Sequence, residues 1–279
     1  MKKLYKLSVT TQGPTYPPSE ITDKDGDFVV VGLINKKNDK NEFVQEWGGA
    51  LVSNDSVVPE FGKNKPYTII KHYDLENFQA ADDEILYTLP TPLPCNNYPG
   101  IFAPDQLPEA NNIIQPSYPL HKAPIPDMRD FDGLKVIDPI YLSDWIKAQG
   151  EMEVSLTSDH KAAIFDFDFK CLVPNSMYTV MALRENDLNP ANRSRPGPLG
   201  IPNVFITDSE GKGYYRVTMP NPFELADSPK RNRIINVVLL YMSRQMSYGG
   251  AIGHHGLGGD IHAQLKLTKS SFWEFNTTQ

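Results

Sequence analysis

In the stretch KAAIFDFDFKCLV, residues 161–173, Phe165, Phe167 and Phe169 alternate with Asp166, Asp168 and Lys170. Successive side chains of an extended chain point to opposite faces, so this period of two describes a strand with one apolar and one polar face. DIHAQLKL (260–267) repeats the alternation, whereas DFVVVGLIN (27–35) and RIINVVLLYM (233–242) are almost continuously apolar and read as buried strands. Further extended runs are Leu4–Thr10, EFVQEWGGALVS (42–53), YTIIKHY (67–73), EILYTL (84–89), MYTVMAL (177–183) and the pair within NVFITDSEGKGYYRVTM (203–219). Clusters of Asn, Asp, Lys and Gly separate them, a spacing that predicts an all-β sandwich or barrel. The chain also carries 24 prolines, which are poorly tolerated inside helices and central strands. The expected class is therefore mainly β, with an antiparallel, Greek-key, immunoglobulin-like sandwich at the C-terminus and an additional N-terminal β domain.

Ten of the prolines fall within residues 90–126 among Ile, Leu, Tyr and Phe, a composition unlike a disordered linker. This predicts an N-terminal β domain over 1–89, a Pro-rich crossing segment over 90–134 and a sandwich over 135–279. The sandwich opens with one short helix, for which Ser143 is the expected N-cap, Asp144 favours the positive end and Gly150 suits the C-terminal cap.

The net charge is −7, with both signs interspersed and no basic stripe, which argues against nucleic acid as a partner. No run approaches the roughly 20 apolar residues of a membrane-spanning helix. The N-terminus MKKLYKLSVTTQGPTYPP has a basic start but no apolar core of a signal peptide. Cys95 and Cys171 allow one disulfide or two reduced thiols; next to an apolar strand, Cys171 is expected to be buried.

The succession of Trp145 and Gly150, then Leu172, Pro174 and Asn175, then Tyr178 to Val180 resembles a family of uncharacterised, mostly secreted microbial β-sandwich domains. The likeness covers 135–279, with Met181 where that family carries Trp. It implies a sandwich fold and a secreted or periplasmic location, and it implies no activity, because fold does not transfer function.

Chemistry is concentrated in YGGAIGHHGLGGDIHAQLKL, residues 248–267, which holds three of the six histidines. Seventeen residues, six of them Gly, separate the strand ending near Met242 from the one beginning at Asp260, and connections this long are usually functional or mobile. His254, His255, Asp260 and His262 form the candidate metal set. Imidazole with a carboxylate suits zinc or copper, and alternation places His262 on a polar strand face together with Gln264 and Lys266.

A second candidate is the loop LNPANRSRPGPLG (188–200), where Asn189, Asn192, Arg193 and Arg195 suit an anion or a sugar at the end of a sandwich. Tyr214, Tyr215 and Trp273 are candidate sugar-stacking rings, with alternation sending at least one of the two tyrosines into the core. Asp166 and Asp168 share one strand face and allow a carboxylate pair, although a solvated face explains them more simply. DKDGD (23–27) departs from a calcium loop, since Gly26 is fourth rather than sixth. No G-x-S-x-G, H-E-x-x-H, phosphate loop or dinucleotide fingerprint occurs. The expected function is therefore non-catalytic binding of a protein, glycan or small anion, with a copper or zinc protein as the alternative.

Overall fold

The computed structural model describes residues 1–13, 18–57, 63, 65–90, 116–125, 128–129, 131–132, 138–191, 196–225, 227–228, 231–247 and 261–278. The strands are β1 (Lys2–Val9), β2 (Ile21–Thr22), β3 (Phe28–Lys37), β4 (Phe43–Val52), β5 (Ile69–Tyr73) and β6 (Tyr87–Thr88), followed by the helix α1 (Leu142–Trp145). After it come β7 (Gln149–Leu156), β8 (Ala162–Lys170), β9 (Met177–Arg184), β10 (Gly197–Pro198), β11 (Val204–Ile206), β12 (Gly213–Pro220), β13 (Ile234–Met242) and β14 (Ile261–Lys266). Among the described residues the larger sheet runs β10-β9-β13-β14-β1-β7-β8-β12, with β11 also on β9, and every pairing in it is antiparallel.

This sheet curls so that its two halves face each other. Met152, Val154, Phe165, Phe167 and Phe169 from one half share a buried core with Tyr178, Val180, Val237, Leu239, Tyr241 and Leu265 from the other. Phe205 of β11 stacks on Phe169 of β8 with ring centroids 5.3 Å apart and on Tyr178 of β9 at 5.7 Å, joining the layers. The alternation of β8 works as the sequence predicts: its three phenylalanines are at most 1% exposed. Tyr215 is buried and its neighbour Tyr214 is exposed.

The smaller sheet has the order β5-β4-β3-β2-β6 and is built on a hairpin in which all ten residues of β3 pair with β4. Val29, Val31, Leu51 and Tyr73 join the core of the larger sheet, while Phe28, Val30, Ala50 and Val52 form a second cluster with Tyr67 and Leu89. A strand buried on both faces has no polar side, which accounts for the unbroken apolar run VVV at 29–31.

Three features differ from the sequence expectation. First, β1, grouped by sequence with residues 1–89, is an inner strand of the larger sheet. Lys2–Leu7 pair with β7, and Ser8 and Val9 pair with β14. Alternation fixes which side of a strand is apolar and leaves its partner open, so the partner was not legible. The chain then crosses to the smaller sheet through Thr11, whose N–H donates to the Val31 carbonyl, while the Trp145 indole donates to the Thr10 carbonyl at 3.0 Å.

Second, the helix ends at Trp145. Tyr141 stands at its N-cap, and the Ser143 hydroxyl donates to the Asp83 carboxylate instead of capping. Gly150 lies inside β7, where an added Cβ would sit 2.9 Å from Leu265 Cδ1 and 3.1 Å from both Leu7 and Phe169. The glycine serves close packing rather than a helix end. Third, β14 is bulged. Leu240 pairs with Ala263 and Leu239 with Leu265, so Gln264 has no opposite residue. Ala263 joins a separate cluster with Met181, Val238, Leu240 and Met242, and Leu265 joins the main core. The extra residue breaks the alternation on which the polar face of β14 was predicted.

Candidate functional site

The outer face of β1, β7, β8 and β12 is polar and in continuous register. One cross-strand row is Leu4, Glu153, Asp166 and Arg216, and the next is Lys6, Glu151, Asp168 and Tyr214. In the first row the charges are paired: Lys2 holds Glu153 at 2.6 Å and Arg216 holds Asp166 at 2.9 Å. The second row differs. It borders a cavity of about 270 Å³ lined by Lys6, Gln149, Glu151, Asp168 and Lys170, with Gly150 between Gln149 and Glu151. Among the described residues, Lys6, Glu151, Asp168 and Lys170 form no ion pair and no side-chain hydrogen bond. Glu151 and Asp168 stand directly opposite one another, and like charges in that position destabilise a sheet. Stability alone gives no reason for the arrangement. Tyr214 closes the row with its side 59% exposed.

Sequence reasoning placed Asp166, Asp168 and Lys170 on this face, named Tyr214 as a candidate ring and missed Lys6, Gln149 and Glu151. The alternation of β1 and β7 signals their outward direction, but only the pairing of β1 with β7 brings Lys6 to the row. Of the four candidate residues in the 188–200 loop, Asn189 is described; it is exposed, and its side-chain oxygen accepts the Ala191 N–H at 3.0 Å. Asn192, Arg193 and Arg195 lie outside the described residues.

Of the candidate metal set, His254, His255 and Asp260 lie outside the described residues. His262 is described and is 1% exposed rather than on a solvated face. Its Nδ1 lies 3.2 Å from the Glu20 carbonyl and its Nε2 lies 2.9 Å from the Ser243 hydroxyl. A carbonyl only accepts, so Nδ1 carries the proton and Nε2 accepts from Ser243. Burial pushes the ring down to about 4 from its ordinary 6.5. This is the contact of a nucleophile with a base, yet Ser243 is also enclosed, at 3% exposure. Among the described residues no carboxylate is hydrogen-bonded to Nδ1, and Glu20 Oε2 accepts the Ala263 N–H at 2.7 Å. Among the described residues no group of three or more His, Cys, Asp or Glu is placed to hold a metal.

Lys266, two turns of the pleat beyond His262, is buried as well. Its ammonium donates to the carbonyls of Gln12 at 3.2 Å and Gly13 at 3.3 Å and lies over the Trp47 ring. Loss of water brings it down to about 8, against the opposing charge of Glu20. The residues on β14 expected to meet solvent thus anchor the segment that joins the two sheets.

Elsewhere, Cys171 is exposed rather than buried because it sits in a turn with φ 55° at the end of β8. Cys95 lies outside the described residues. In DKDGD, one carboxylate oxygen of Asp23 accepts the N–H groups of both Asp25 and Asp27, closing a turn. Trp273 is half exposed and packs its ring on the Arg233 guanidinium.

Comparison of the chain with protein-family models, with characterised proteins and with solved structures finds no match. No helix among the described residues is long and apolar enough to cross a membrane.

Proposed function

We propose that the chain is a non-catalytic ligand-binding protein and that its ligand sits on the outer face of β1, β7, β8 and β12. The observation that carries this reading is the contrast between adjacent rows. Glu153 and Asp166 are neutralised by Lys2 and Arg216, whereas Lys6, Glu151, Asp168 and Lys170 around a cavity form no ion pair among the described residues. Unpaired charges gathered at a concave site are the polar groups a ligand needs for orientation. Enclosure of Ser243 and His262 supports the non-catalytic part, since a nucleophile must reach its substrate. The likeness of 135–279 to secreted sandwich domains supports an extracellular or periplasmic setting.

A fragment screen by crystal soaking tests the site. Fragments are expected in the cavity beside Glu151 and Asp168 ahead of the rest of the described surface. Hits distributed elsewhere, with none in this cavity, would remove the reading.

A further inference from the structure

We infer that the ligand of this face is a neutral saccharide, bound along the row from Lys6 to Tyr214; the inference rests on the ligand-binding reading above. The first argument is the order of the charges. Along the row stand an ammonium (Lys6), two carboxylates (Glu151, Asp168) and a phenol ring (Tyr214), with a second ammonium, Lys170, two residues beyond Asp168 on the same strand face. Donors and acceptors are mixed rather than gathered at two ends. A ligand bearing one positive and one negative group would meet the wrong sign next to the right one. A hydroxyl both donates and accepts, so a ligand carrying many of them satisfies lysines and carboxylates together. A single anion would gain from Lys6 and Lys170 and be repelled by the two carboxylates between them.

The second argument is shape. β7 pairs with β8, and β8 with β12, without a register shift over eight residues each. The four residues therefore stand in one cross-strand row across three inter-strand gaps, about 14 Å at the usual strand spacing. That is the length of a short oligosaccharide rather than of one small ion. The third argument is the ring. Tyr214 is 59% exposed at the end of this line, while its neighbour Tyr215 is in the core. An aromatic ring buries large apolar area while its hydroxyl stays hydrated, which suits the apolar face of a sugar ring. Asp166 and Arg216, an ion pair in the adjacent row, mark one side of the track, and Arg216 also hydrogen-bonds the Tyr214 side chain, which holds the ring at the end of the line.

The test is a broad array of neutral oligosaccharides probed with the full chain. It is followed by amide chemical-shift mapping with each saccharide bound, and with glutamate and inorganic phosphate in parallel. At least one neutral saccharide is expected to shift the signals of Gly150, Glu151, Asp168 and Tyr214. Tyr214→Ala and Asp168→Ala are each expected to weaken that binding roughly tenfold or more, while Lys37→Ala, on the smaller sheet, leaves it unchanged. Unaltered signals outside the face show that the variants fold. Fragments in the cavity with no saccharide on the array, or shifts from glutamate or phosphate only, overturn the saccharide assignment and leave the ligand-binding reading standing. An array without hits and a cavity without fragments overturn both.

Discussion

At His262, complete enclosure makes protonation costly, and the hydrogen bond to the Glu20 carbonyl offsets only part of that cost. The native ring holds out until about pH 4, whereas the unfolded ring takes its proton near 6.5. Between those values the unfolded state binds more protons, so stability falls as pH falls through the window, by about 3 kcal/mol in all. His262→Gln keeps a donor and an acceptor and cannot titrate. Chemical denaturation at pH 7 and pH 4 is expected to show a smaller acid loss in this variant than in the parent, by roughly that amount. Equal losses would mean that His262 is not the group responsible. Lys266 acts in the same direction at higher pH: its native value of about 8 lies below its ordinary 10.5, so its contribution to stability grows as pH rises between them. Ser243 gives a second check at this scale. A fluorophosphonate probe is expected to leave it unlabelled in the folded chain, and labelling abolished by Ser243→Ala would overturn the non-catalytic reading. Asp168→Asn relieves the like-charge contact with Glu151, so it is expected to melt at the same temperature or higher while ligand binding weakens.

The elements show what kind of information alternation carries. Phe165, Phe167 and Phe169 announce their strand and its buried face, and the outward carboxylates between them were legible for the same reason. Gly150 was not legible. As a residue after a short helix it fits a C-cap, and only the pairing of β7 with β1 and β8, and the approach of Leu265, reveals a position with no room for a side chain. Gly150→Ala is expected to cost about 1–3 kcal/mol through overpacking, measured as a lower denaturation midpoint with an unchanged slope; no loss would mean that Leu265 and Leu7 move aside. The bulge at Gln264 was hidden for a related reason. Its signal is a missing partner, which is a property of β13 and β14 together. His262 and Lys266, on either side of the extra residue, are buried against Glu20 and against Gln12 and Gly13 of the segment joining the sheets, contacts that the alternation of β14 alone does not announce.

At the scale of the whole molecule, the sequence suggests a sandwich over 135–279 that closes by itself, and the pairing of β1 makes a different demand. β14 and β7 lie on either side of β1 and do not pair with each other. Without β1 the larger sheet splits into two, each with a new unpaired edge. The same cut removes Leu7, Val29, Val31, Leu51, Leu86 and Leu120 from the shared core, and the Thr10 carbonyl from Trp145. A fragment of residues 135–279 is therefore expected to show no cooperative thermal transition, followed by circular dichroism, whereas the full chain melts in a single step because both sheets share one core. Supplying residues 1–134 as a second chain is expected to restore the transition, since β1 can then enter between its two neighbours. A fragment that melts cooperatively near the full chain's temperature would show instead that β7 and β14 close on each other. The row built on Lys6 would then be dispensable to the sandwich, and binding would have to be sought on residues the fragment itself carries.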